Sequence, residues 1–358
     1  MKILLETPII INKMAVYSIT DHENKSWDTF VSRSAGGLPT HLVAWREILT
    51  RTYGYHCHFL VSSLDGKILG VLPLFQVDSL ITGKSLQSLP GAICAEDEIA
   101  AQSLIAAADS LARDLKVDYL LLRDSRQKWS GNDLEVVEAH RGVRMNLPTD
   151  VETAWKSLRK DVRYHIRHGQ KSGMVHVSLD SRIDDLYSVL LNFNQYMGTP
   201  LFGFQFLKNV LTNLPNECLV INACVGQKPV AGYFNFTFDR KIFGMWGGTL
   251  TGYQDLKVTH QVYWALIEHA IRLGFAQIDM GRSSYPSSQY DFKSQWGDEN
   301  YPIYQLLRVY RGKMPQTIRT GPDNETSATF LFKRVWRKSP TWLVRKLGPY
   351  IRRHIPFG

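Results

Sequence analysis

The order of elements in this chain repeats once. Residues 57–77 read as two strands about a turn: Cys57 to Ser62, the hairpin signal Asp65-Gly66, then Ile68 to Val77. The second half follows the same plan, with Leu219 to Val225, the pair Gly226-Gln227, Val230 to Phe238, and a further strand from Lys241 to Trp246. Each hairpin leads into a helical stretch and an apolar strand, Ala100–Leu115 into Val117–Leu122 and Thr259–Leu273 into Phe275–Met280. Corresponding residues are separated by about 160 positions, far beyond the roughly 20–50 residue period of a solenoid. The repeat therefore predicts a duplicated α/β (α+β) domain. The boundary falls near Leu147-Pro148, just before the helix-starting Thr149-Asp150-Val151-Glu152. This gives domains 1–147 and 148–314. Pro315–Ser327, with Gly321-Pro322-Asp323-Asn324, reads as a linker, so residues 315–358 are expected to be linker and tail.

Charge is concentrated in two places. The chain of 358 residues carries +9, yet Trp155–Ser172 holds six Lys/Arg against Asp161, and Phe330–Gly358 holds eight Lys/Arg with no acid. Everything outside these two stretches is net acidic. Lys156, Arg159, Lys160, Arg163, Arg167 and Lys171 recur at helical spacings, which groups several on one face. Anionic partners follow from both patches: cofactor phosphates, tRNA, a lipid-linked sugar or a membrane face. In the tail, Trp336, Trp342 and Tyr350 stand among the cations, a composition suited to anionic lipid head groups through residues 330–358.

The densest chemistry lies between Phe275 and Gly297. An apolar strand ends in Asp279, Gly281 and Arg282, where open α/β sheets form ligand crevices, and a polar loop follows with Lys293 set among aromatics. The aromatics around Lys293 partly exclude water and strengthen its field. Asp279 is either a general base or amine anchor, or a loop anchor accepting backbone amides. Arg282 has the forked geometry for phosphate or carboxylate. Trp246-Gly247-Gly248 ends a strand with a large ring followed by unshielded backbone, either a donor floor or a core turn.

Two blocks in this region, Ile278-Asp279-Met280-Gly281-Arg282-Ser283 and Tyr290-Asp291-Phe292-Lys293-Ser294-Gln295-Trp296-Gly297, resemble the closing motif of FemAB-like acyltransferases of the GNAT-fold superfamily. The resemblance is strongest to the subgroup found beside exosortase and exopolysaccharide gene sets. It extends more loosely over about residues 40–315, including Gly198-Thr199-Pro200 and Trp246-Gly247-Gly248. Ile278 replaces a usual aromatic, and Ser284–Ser288 replaces a glycine- and lysine-bearing turn.

The resemblance implies two tandem GNAT-like domains, each a mixed, largely antiparallel sheet flanked by helices. It places Lys293 beside the reacting acyl carbonyl, with Arg282, Ser283, Tyr290, Trp296, Trp246, Gly247, Gly248, Tyr196, Thr199, Arg163 and Arg167 around donor and acceptor. Acyl-CoA and aminoacyl-tRNA are both admitted as donors, because Gly247–Gln254 has glycines without the spacing of the usual CoA-pyrophosphate loop. The acceptor expected from the family is an amine of a cell-envelope or exopolysaccharide precursor, such as a lipid-linked sugar. The competing reading is a catalytically silent GNAT-like module that holds an anionic glycan or lipid-linked sugar at the membrane surface.

Other chemistries find little support. His56 and His58 share one strand face while Cys57 faces away, and neither they nor His165 and His168 have an evident third ligand, so no metal is expected. There is no G-x-S-x-G, which leaves direct attack without a covalent enzyme intermediate. Four scattered cysteines, no secretory leader and no apolar run of about 18 residues predict a cytoplasmic protein, peripheral at the inner face of the membrane if the tail engages lipid.

Overall fold

The computed structural model describes residues 8–11, 13–129, 133–180, 182–312 and 327–355. Apart from Ser327, the expected linker over 315–327 lies outside the described residues. The chain divides into two units: Met1–His140 with Pro302–Asn324 and Arg353–Gly358, and Arg141–Tyr301 with Glu325–Arg352.

The first unit contains β1 (Ile9–Ile11), β2 (Met14–Ser18), α1 (Asn24–Arg33), α2 (Trp45–Tyr53), β3 (Cys57–Leu64), β4 (Lys67–Ser79), β5 (Gly83–Ser88), β6 (Cys94–Ala95), α3 (Glu98–Asp114) and β7 (Tyr119–Ser125). Its sheet runs β1-β2-β3-β4-β5-β7, with β6 on β4, and every pairing is antiparallel except β5 with β7. Leu60, Leu72, Leu74, Leu86 and Leu120 meet Leu104 and Ala108 of α3 in the core. The β3–β4 loop is Asp65-Gly66, both with positive φ, the mirror-image turn that matches strand twist.

β8 (Glu135–Asn146) passes from the first unit into the second. There follow α4 (Val151–Ser157), α5 (Lys160–Lys171), β9 (Val175–Ser178), α6 (Ile183–Met197), α7 (Phe204–Asn213), β10 (Cys218–Val225), β11 (Lys228–Phe238), β12 (Lys241–Thr249), α8 (Val258–Arg272), β13 (Gln277–Ser284) and α9 (Ser288–Lys293). β14 (Glu299–Val309) leads back to the first unit, and α10 (Ser327–Lys338) and α11 (Thr341–Arg352) complete the second. In the second unit the strands run β8-β13-β12-β11-β10-β9, with β12 and β13 parallel. Ile278 and Met280 of β13 alternate onto the face that packs under Val262, Leu266 and Ile267 of α8, as period-two alternation requires.

The duplication predicted from element order extends to fine detail. The β3–β4 ladder shifts register between Ser62 and Ser63, and the β10–β11 ladder shifts between Ala223 and Cys224. Each unit also has one parallel pair placed alike, Ser85 opposite Tyr119 and Lys241 opposite Gln277. The mixed α/β architecture expected from the sequence is the one observed.

Two glycines of the second unit are fixed by packing. A Cβ on Gly247 would enter the ring of Tyr233, and one on Gly248 the ring of Phe193 on α6. Gly248→Ala is expected to lower stability by about 1–3 kcal/mol through this overpacking. Thermal unfolding checks it, and an unchanged midpoint would mean that Phe193 moves aside without strain. No helix among the described residues is long and apolar enough to cross a membrane.

Candidate active site

A break in the parallel ladder forms the centre of the second unit. β12 and β13 pair from Lys241 opposite Gln277 to Phe243 opposite Asp279, and the register goes no further although both strands continue. Two local features cause this. Against β11, β12 carries a bulge at Met245, since Asn235 faces Gly244 while Phe234 faces Trp246. On β13, Gly281 takes φ +70, and a Cβ there would collide with the carbonyl oxygen of Gly244. Only glycine accommodates both the left-handed backbone and that approach.

Asp279 sits where the pairing stops, with no exposed surface. Its Oδ1 accepts the Gly281 amide at 2.9 Å, and its Oδ2 accepts the Tyr301 hydroxyl at 2.6 Å and Arg144 Nε at 3.3 Å. Arg144 also pairs with Glu299 at 2.7 Å and lies 3.9 Å from the Tyr301 ring centre. The carboxylate thus ties the turn at Gly281 to β8 and β14. Arg144, Glu299 and Tyr301 escaped sequence reasoning, because they lie about twenty or more residues from Asp279 and carry no local pattern. A faint signal was Gly142, where a Cβ would strike the Tyr301 ring.

The expected loop after β13 contains a short helix. Ser287 Oγ accepts the Tyr290 amide at 3.1 Å and caps α9, which carries Tyr290, Phe292 and Lys293. Lys293, at the end of α9, is only 6% exposed. Its Nζ donates to the carbonyls of Arg282 at 3.0 Å and Gly281 at 3.4 Å. An ammonium has three donors, so one is left. Burial pushes its pKa down to about 8, with Asp279 opposing the fall and Arg282 adding to it. Ser283, next in sequence to this pair of carbonyls, is buried, and its Oγ has no hydrogen-bond partner among the described residues.

Aromatic rings flank the lysine in sequence. Trp296 is buried against His260, Tyr263 and Phe292, with ring centres 5.4–6.1 Å apart, and Tyr290 meets Tyr285 edge to face at 4.9 Å. His260 belongs to the first turn of α8 and lies 4.8 Å from His165 of α5. Burial, with His165 and Lys257 nearby, pushes its pKa down to about 4, so this histidine is neutral at physiological pH. Helix α8 starts from Lys257 in a left-handed conformation with no side-chain cap, and Thr259 of its first turn bonds Thr249 at the end of β12, 2.9 Å away.

The remaining candidates sit on other elements of the second unit. Trp246 lies on β12 among Phe202, Phe206, Phe234 and Phe236, a cluster with ring centres 5.1–6.2 Å from its own. Tyr196 is exposed at the end of α6, and Thr199 Oγ1 donates to Asn194 Oδ1 at 3.0 Å. Gly198 between them takes φ +78 and ends the helix. On α5, Arg163 is half-buried and Arg167 lies 5.1 Å from the Trp155 ring centre. Gly169 allows α5 to approach the start of α8, since a Cβ would stand 2.6 Å from Gln261 Nε2. Among the described residues no group of His, Cys, Asp and Glu could hold a metal ion.

The corresponding place in the first unit is filled differently. Arg123 Nε donates to Gln87 at 2.9 Å, its amide donates to Ser88, and Asp124 accepts Gln305 Nε2 at 2.6 Å, all buried. Helix α3 is capped by its own Asp97, which accepts the Ala100 amide. That carboxylate occupies the positive end that α8 leaves uncapped.

A family model described as an acetyltransferase (GNAT) domain matches residues 156–300. No curated protein matches the sequence. Among solved structures, that of FemX is similar at 12% identity and a TM-score of 0.62, covering 82% of this chain and 97% of FemX. The C-terminal domain of a putative lysylphosphatidylglycerol synthetase from Agrobacterium fabrum is similar at 11% identity and 0.56, covering 81% of this chain and 92% of that domain. A tandem GNAT protein from the clavulanic acid biosynthesis pathway is similar at 9% identity and 0.56, covering 84% of this chain and 99% of its own. Residues 156–300 therefore match a GNAT acetyltransferase domain, within a fold like that of tandem GNAT proteins.

Proposed function

We propose that the second unit transfers an acyl or aminoacyl group from an activated donor to an amine of a cell-envelope or exopolysaccharide precursor. The observation that carries this reading is Lys293: a buried cation, fixed by two carbonyls at the point where β12 and β13 part, with no third hydrogen bond among the described residues. The amine attacks the acyl carbonyl, and the new C–N bond leaves a tetrahedral oxyanion that Lys293 stabilises. The bond to the donor sulfur or ribose oxygen then breaks, and the departing atom takes the proton that the amine loses. Asp279, held by Tyr301, Arg144 and the Gly281 amide, serves as a positioning residue that holds the Gly281–Arg282 carbonyls under the lysine.

The donor phosphates are proposed to meet the uncapped start of α8 and the cations of α5, Arg163 among them. The synthetase domain, by the lysyl group in its name, favours an aminoacyl donor, and acetyl-CoA is the second donor the reading admits. The first unit, with its capped helix and its filled strand end, is proposed as scaffold. The proposal is tested by thermal unfolding of the full chain with acetyl-CoA, a longer acyl-CoA and a charged tRNA mixture, together with mass spectrometry of ligands retained on purification. A donor at about a hundred times its Kd adds roughly 2.7 kcal/mol of apparent stability. If no donor shifts the midpoint and none is retained, the reading fails.

A further inference from the structure

Helices α10 and α11 pack on α6 by one face each. Trp336 is buried and stacks on Phe332, while Val344 and Gly348 are buried from α11. Polar contacts lock the junction, with Gln195 Nε2 donating to the Ser339 carbonyl at 2.6 Å and Thr341 Oγ1 donating to Gln195 Oε1 at 3.3 Å. Arg337 donates to the Met197 carbonyl at 3.3 Å.

The faces turned away carry a second pattern. On α10, Leu331, Arg334, Val335 and Lys338 fall at i, i+3, i+4 and i+7, and all are exposed. On α11, Trp342, Lys346 and Tyr350 fall at i, i+4 and i+8, and all are exposed, the two rings by 67% and 66%. Large apolar side chains in a row on a helix whose other face already serves the fold mark an interaction surface. Its charge identifies the partner. Phe330–Gly358 has eight Lys/Arg and no acid, and cations alternate with aromatic and aliphatic side chains. Long basic side chains reach phosphates while rings sit at head-group depth, an arrangement that a protein surface does not call for and an anionic bilayer does.

We propose that the outer faces of α10 and α11 form a reversible docking surface for an anionic lipid bilayer, with the helices lying in the head-group layer. The inference does not depend on the chemistry at Lys293, since no residue of that site lies on these faces. It would hold the chain beside lipid-linked substrates of any kind.

The test is co-sedimentation of the full chain with vesicles of phosphatidylcholine alone or mixed with about one third phosphatidylglycerol. Uptake is expected on the mixed vesicles only, and to weaken as salt rises. Each cation near an anionic surface adds roughly fivefold in affinity, so Arg334→Glu with Lys346→Glu is expected to weaken uptake at least 25-fold. Leu331→Ser with Trp342→Ser is expected to weaken it at least tenfold. All four positions are exposed, so the melting temperature should not change, and Lys293→Ala should sediment like the parent. Equal uptake on neutral vesicles, no uptake on mixed ones, or variants that bind like the parent would overturn the proposal. Binding to a tRNA mixture without vesicle uptake would assign the cations to nucleic acid and overturn it as well.

Discussion

Lys293→Ala should lower the rate of acyl transfer by roughly 10²–10³ while the protein stays folded, the magnitude lost when one oxyanion donor is removed. The expectation rests on position: the ammonium is buried, two of its protons are held by the Gly281 and Arg282 carbonyls, and it makes no third hydrogen bond among the described residues. Stability should change little, because deleting the side chain removes a desolvated charge as well as two hydrogen bonds. The pH dependence follows with a definite sign. The folded state lowers the lysine pKa from 10.5 to about 8, so the folded protein releases this proton before the unfolded chain does. Burial of the ammonium therefore costs stability below pH 8, and that cost is recovered between about 8 and 10.5. Transfer that needs the cation should fall over the same range, as the ammonium loses its proton. A parent enzyme whose rate keeps rising through pH 9, in the same range, would separate the reaction from this ammonium.

Asp279→Ala should be the most damaging change to the fold of the second unit, by about 3 kcal/mol. It strips a buried hydroxyl of Tyr301 of its acceptor, frees the Gly281 amide and leaves Arg144 with Glu299 as its carboxylate partner. Because Arg144 keeps that second partner, the lower part of the range for broken buried pairs applies. For a unit of this size the midpoint should drop by roughly 6–12 °C. Asp279→Asn separates a positioning role from proton transfer: it retains an acceptor for the Gly281 amide, so a stable variant that has lost all activity would point to base chemistry, and a less stable variant with near-parental rate to anchoring.

The fold was legible because its signals are local. Alternating strands, the Asp65-Gly66 turn and the wide apolar face of α8 are each read within a dozen residues, and their repetition after about 160 positions supplied the duplication. The candidate site was legible only along β13 and α9, where Asp279, Arg282 and Lys293 are neighbours in sequence. What supports them was not. Arg144 and Tyr301 reach Asp279 from strands whose separation in sequence carries no periodicity, and the glycine at 281 is explained only by the Gly244 carbonyl of another strand. The tail shows the reverse case. Proline disfavours helix, yet Pro340 merely divides two regular helices and Pro349 lies in the last turns of α11, where little of the ladder remains to be lost.

The central claim is that the second unit moves an acyl group onto an amine under the field of Lys293. The most direct measurement incubates the chain with isotope-labelled acetyl-CoA or a labelled aminoacyl-tRNA and a panel of amino sugars, and follows the label into an amide by mass spectrometry, with Lys293→Ala in parallel. The account predicts a labelled amide with the parent and almost none with the variant. An amide formed equally well by both, or by neither with any donor, would contradict it.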